Sequence, residues 1–106
     1  MREWAEARLA DLVAEHASND GVSLGPPRGF GAGTLQVRGR IFAMVSQDRL
    51  VLKLPAGRVS ELIASGRGRA FDAGKGRPMK EWLALADGDA GWRELASEAM
   101  TFVASL

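Results

Sequence analysis

Cysteine is missing from this 106-residue chain and histidine occurs once, at His16. Without cysteine there is no disulfide and no thiolate metal site, and a reducing cytoplasm is the natural compartment. No apolar run approaches the roughly 18 residues needed to cross a bilayer. The opening MREWAEARLADL has acidic residues inside its apolar pattern and lacks a signal-peptide core. A hydroxyl nucleophile wants a histidine base held by a carboxylate. His16 is remote in sequence from Ser46, Ser60 and Ser65, and none of the three serines sits in a motif. Asp87 and Asp89 read as a helix cap rather than as metal ligands, and Glu61 and Glu81 are isolated. The expectation is a non-enzymatic protein with no cofactor and no metal.

What is present is a patterned core, TLQVRGRIFAMVSQDRLVLKLP, from Thr34 to Pro55. Leu35 and Val37 alternate with Thr34, Gln36 and Arg38, which is the period of a half-buried strand. Gly39-Arg40 permits a reversal before the short apolar run Ile41 to Val45. Gln47-Asp48-Arg49 is turn-like, and Leu50, Leu52 and Leu54 then alternate with Val51 and Lys53. Two short reversals specify an antiparallel meander, because a parallel crossover takes a dozen or more residues. Pro55 has no N–H for the ladder and stops it.

Helices flank this core. Residues 2–16 carry an apolar stripe of Ala5, Leu9, Leu12, Val13 and His16, with Trp4 beside it, ended by Ser18-Asn19-Asp20-Gly21. After Pro55 the period switches: Val59, Leu62 and Ile63 predict a helix over about residues 57–65, stopped at Gly66. Ala70-Phe71-Asp72 and Lys80 to Ala86 predict two more strands, the second with Trp82, Ala84 and Ala86 on one face and Leu83 and Leu85 on the other. Asp87-Gly88-Asp89 opens a last helix with Trp92, Leu95, Ala96, Ala99, Val103 and Leu106 on one stripe. Trp82 and Trp92 are both expected to be largely buried. The fold class is therefore α+β: one compact domain over residues 1–106, an antiparallel sheet with helices packed on one face, in the order α-β-β-β-α-β-β-α.

The stretch 21–33, GVSLGPPRGFGAG, reads as an irregular loop that closes one end of the sheet through Leu24 and Phe30. Gly29, Gly31 and Gly33 do not make a dinucleotide fingerprint, because a strand follows them where a helix is required. Gly74-Lys75 does not make a phosphate loop either, since Arg69 and Gly76 stand where that motif needs glycine and a hydroxyl.

Charge is the remaining signal. Net charge is +1, yet residues 38–80 hold ten basic and three acidic side chains between two acidic flanks. A basic middle is a footprint for a polyanion. Its alternative is a set of cations decorating strand edges, where they discourage aggregation.

The segments Gly39-Arg40-Ile41-Phe42-Ala43-Met44-Val45, Arg49 to Pro55, and Gly76-Arg77-Pro78-Met79-Lys80-Glu81-Trp82 together resemble small bacterial proteins of the MmcQ/YjbR group. The related TfoX N-terminal domain shares the glycine–basic–apolar–Phe–Ala strand. The resemblance covers about residues 28–106 and implies a YjbR-like fold with a curved antiparallel sheet, and DNA binding by fold analogy. A stand-alone YjbR-like protein is the better match than a competence regulator, which carries a second, helical domain. On this basis the expected phosphate contacts are Arg38, Arg40, Lys53, Arg67, Arg69, Lys75, Arg77 and Lys80. The rival expectation is a protein- or small-ligand-binding adaptor working through the loop 21–33. A basic face would favour the first, an apolar groove beside residues 24–33 the second. Oligomeric state is left open.

Overall fold

The computed structural model describes residues 2–16, 21–24, 34–72 and 79–106. In chain order these form α1 (Arg2–His16), β1 (Val22–Leu24), β2 (Thr34–Val37), β3 (Arg40–Ser46), β4 (Arg49–Lys53), α2 (Ala56–Ala64), β5 (Gly68–Phe71), β6 (Met79–Leu85) and α3 (Trp92–Ala104). The sheet is six-stranded and antiparallel throughout, in the order β1-β2-β3-β4-β6-β5. The expected order of elements is met, with β1 added to it. Residues 22–24 are thus not irregular: they pair with β2, Val22 opposite Val37 and Leu24 opposite Leu35. Residues 25–33, the side chain of Leu24, and the proposed Leu24–Phe30 closure lie outside the described residues.

Two tight hairpins build the meander. Arg38 and Gly39 both have positive φ, 54° and 79°, and so do Gln47 and Asp48, at 52° and 65°. Paired left-handed residues are the turn whose twist matches that of the strands it joins. The first reversal therefore falls one residue earlier than Gly39-Arg40, and Arg40 already opens β3. A bulge follows at once: Leu35 pairs with Ala43 but Gln36 with Ile41, leaving Phe42 as the extra residue. That insertion lets the consecutive residues Phe42 and Ala43 both be buried, which strict alternation forbids.

Register then sorts the two faces. Leu35, Val37, Ala43, Leu50, Leu52, Leu83 and Leu85 pack with Ala5, Leu9 and Leu12 of α1, Val59 and Leu62 of α2, and Trp92 to Val103 of α3 in one core. All three helices sit on this face. Burying a leucine such as Leu50 or Leu52 is worth about 1.5–3 kcal/mol, and both are fully buried. Two stripe positions do not join the core. Ile63 is 38% exposed, because the nine-residue α2 brings only Val59 and Leu62 down onto the sheet. Leu106 is 53% exposed, because α3 ends at Ala104 and the last residue has left its stripe.

The start of α3 also differs from the expected cap. Its N-cap is Gly91, with no side-chain capping bond. Asp89 acts from two residues upstream: its carboxylate accepts the Gly91 N–H at 2.9 Å and a bidentate pair from Arg67 at 3.0 and 2.9 Å. The same pair anchors the link between α2 and β5 to the link between β6 and α3.

Candidate functional site

Among the described residues no helix packs on the second face of the sheet. A smaller core lies there: Val51, Phe71 and Ala84 are buried, with Met44 and Trp82 packed against them. Val51 and Ala84 are register partners on neighbouring strands, which places them side by side. Phe71 reaches them because β5 loses register after Ala70: Ala70 pairs with Leu83 but Phe71 with Met79. The chain turns over the face there, and the Asp72 carbonyl accepts a bond from Gln47 Nε2 in the β3–β4 turn at 2.6 Å. Trp82 is consequently half-buried, not largely buried as expected; Trp92, under the helices, is 8% exposed.

Around this small core stand cations. Lys53 lies directly opposite Trp82 in the ladder, and its Nζ is 5.4 Å from the centre of the Trp82 ring. Arg69 pairs with Ala84. Arg49 and Arg69 line one shallow groove of about 180 Å³ whose other residues are Gly66, Gly68, Ala84 and Ala86. Gly68, the register partner of Leu85, faces the helical side: a Cβ there would come within 2.7 Å of the Ala84 carbonyl oxygen and 2.8 Å of Leu83, closer than such atoms approach in real structures. Lys80, exposed, opens β6 two residues before Trp82.

The ion pairs gather on the helical side, although Arg38 and Arg40 there make none among the described residues. On the helical side Arg58 binds Glu98 bidentately at 3.0 and 3.1 Å, and Arg93 binds Glu15 at 2.8 Å. Arg8 sits 3.0 Å from Asp11, and Arg67 is held by Asp89. The Arg93 guanidinium holds the Glu15 carboxyl below its usual range, and Arg67, helped by the Gly91 N–H, does the same for Asp89. Arg49, Lys53, Arg69 and Lys80 form no ion pair among the described residues.

Of the eight residues expected to contact phosphate, the structure brings Lys53 and Arg69 onto the helix-free face, with Lys80 at its edge. Arg67 is committed to Asp89. Arg38 turns toward the helical layer, where its Nη1 donates to the Ala104 carbonyl at the end of α3. Arg40 lies beside it at the β2–β3 turn, exposed. Lys75 and Arg77 lie outside the described residues. Two members of the surface were missed, Arg49 and Trp82. Arg49 was legible as a position of the same parity as Val51 and Lys53; Trp82 was assigned to the core because an indole reads as apolar.

The helical side has two grooves of its own. One of about 850 Å³ runs between Pro55, Arg58 and the α3 residues Glu94 to Ser105. Another, of about 480 Å³, lies under β1 and is lined by Val22, Val37, Arg38, Met100, Thr101, Ala104 and Ser105. Among the described residues no cluster of three or more His, Asp or Glu is placed to hold a metal ion. No described helix is long and apolar enough to cross a membrane. No family model matches the chain, and neither a curated protein nor a solved structure matches it.

Proposed function

We propose that this protein is a small, non-enzymatic nucleic-acid-binding domain that takes the sugar–phosphate backbone on the helix-free face of its sheet. One observation carries the reading: among the described residues Arg49, Lys53 and Arg69 stand on that face without an acidic partner, while Arg8, Arg58, Arg67 and Arg93 are each held by a carboxylate elsewhere. An unpaired guanidinium keeps its full affinity for phosphate, since no salt bridge has to be broken first. The likeness of the Gly39–Val45 and Arg49–Pro55 strands to MmcQ/YjbR proteins agrees with this reading and is itself part of the proposal. So is a cytoplasmic location.

Binding by counterion release has a direct test. With Arg49, Lys53, Arg69 and Lys80 each on a phosphate, log affinity falls with log salt with a slope of about −3.6 on a duplex or about −2.8 on a single strand. Arg69→Ala weakens binding to all sequences alike and flattens the slope by nearly one unit. Absence of salt-sensitive binding to any DNA or RNA at low ionic strength removes the proposal. The second reading, an adaptor for a protein or small ligand, then gains, with the groove under β1, lined in part by Val22, Val37 and Met100, as its place to bind.

A further inference from the structure

We infer that the occupant of this face is single-stranded DNA, bound by one base stacked on Trp82 and by neighbouring phosphates held on Arg49 and Arg69; this rests on the function proposed above. A duplex keeps its bases stacked within its own helix and offers a protein ring nothing to stack on, whereas a single strand presents free π-faces. The surface is built for the second case. Trp82, a half-buried indole, lies on the face already carrying the unpaired cations, and its ring has a lysine ammonium over it. An incoming base takes that position, and Lys53, released from the ring, is left beside the adjoining phosphate.

The second contact lies within reach of the first. Arg49 and Lys53 are four residues apart on one strand, about 13 Å at the usual strand rise. Ala84 and Ala86, which line the Arg49–Arg69 groove, are small, so the phosphates of a strand meet its two guanidiniums without a large side chain in the way.

The sugar follows from what lines the ring. The neighbours of Trp82 in this small core are Val51, Phe71, Ala84 and Met44, all apolar. A ribose 2′-hydroxyl is the group by which proteins tell RNA from DNA, and this apolar surround suits the sugar without it. Deoxyribose is the better fit.

The test compares oligodeoxythymidine, oligouridine of the same length and a DNA duplex of that length, each across a salt series. The expected order is oligodeoxythymidine first. Trp82→Leu should weaken its binding by about tenfold, the lower part of the stacking range, without changing the salt slope. Trp82→Phe, which keeps a stacking ring, should restore most of the loss, and circular dichroism of both variants reports whether the sheet is intact. Arg49→Ala and Arg69→Ala should flatten the slope by about 0.7 each and be additive with Trp82→Leu. Duplex binding as tight as single-strand binding, with Trp82→Leu indifferent, overturns this inference and leaves backbone binding standing. Tighter binding of oligouridine overturns the choice of DNA. Failure of all three ligands to bind at low salt overturns the proposed function itself.

Discussion

Asp89 shows how much one carboxylate organises here. It takes two N–H bonds from Arg67 and one from Gly91, so its ionised form is stabilised and its pKa is lowered. A carboxyl depressed in the folded state contributes stability above its unfolded pKa and loses it as pH falls through the folded value. Asp89→Asn should therefore cost about 1–2 kcal/mol near neutrality for this partly buried, bidentate pair. The difference from the wild type should shrink steadily below about pH 4, the ordinary range for an aspartate. Thermal unfolding at several pH values measures both. A difference that stays constant down to acid pH would mean the pair is not what holds the two links together. Gly91 belongs to the same unit. Its φ of −92° suits any residue, yet an added Cβ collides with the Arg67 guanidinium. Gly91→Ala should thus destabilise through the ion pair, and combined with Asp89→Asn it should cost less than the two changes separately.

At the level of elements, the β3–β4 hairpin is the place where the chain departs from its cheapest chemistry. Gln47 and Asp48 both adopt left-handed backbone without glycine, a conformation that costs an L-residue roughly 1–2 kcal/mol, at φ of 52° and 65°. Gln47 is retained by its bond to the Asp72 carbonyl, but Asp48 is exposed with no such bond. Asp48→Gly should raise the melting temperature by a few degrees, corresponding to a gain of up to about 1 kcal/mol. A lower melting temperature would show that the carboxylate has a use in the turn. The opposite result is expected in α3: Leu95, 1% exposed, lies between the sheet and the helical layer. Leu95→Ala should cost about 2–5 kcal/mol, the range for a buried leucine, enough to unfold much of a marginal domain at moderate temperature.

Among the described residues the ion pairs lie off the open face of the sheet, and that makes a prediction single contacts do not. Arg58, tied to Glu98, and Arg93, tied to Glu15, lie on the helical side. Removing either positive charge alters net charge as much as removing Arg69 does. If binding followed overall charge, Arg58→Ala and Arg69→Ala would weaken it equally. The sheet-face reading requires Arg58→Ala to leave affinity and salt slope within error of the wild type, and fluorescence anisotropy with a labelled oligonucleotide decides between them. Equal losses would move the interface off the sheet.

How much of this the chain announces in advance depends on the range of the interaction. Periodicity is local, so the alternation of Leu50, Leu52 and Leu54 and the 3.6-residue stripe of Leu95, Ala96, Ala99 and Val103 are readable by themselves, and with them the α+β class and the antiparallel meander. The strand β1 was hidden because three residues are too few to show a period, and it exists by pairing with β2. The bulge at Phe42 was hidden for a similar reason, since it is a property of two strands in register. The basic middle of the sequence was visible as composition. Its division was not: Arg67 and Arg69 stand two residues apart, yet Asp89, twenty-two residues on from Arg67, withdraws one, while the ladder leaves the other on the open face beside Arg49. Trp82 was visible as a large apolar side chain, but whether its ring met a helix or solvent was set by which face the three helices cover. Sequence determines the elements because their hydrogen bonds and stripes are made by near neighbours. The site is decided by tertiary structure because a charge is available only when no distant partner has been folded against it.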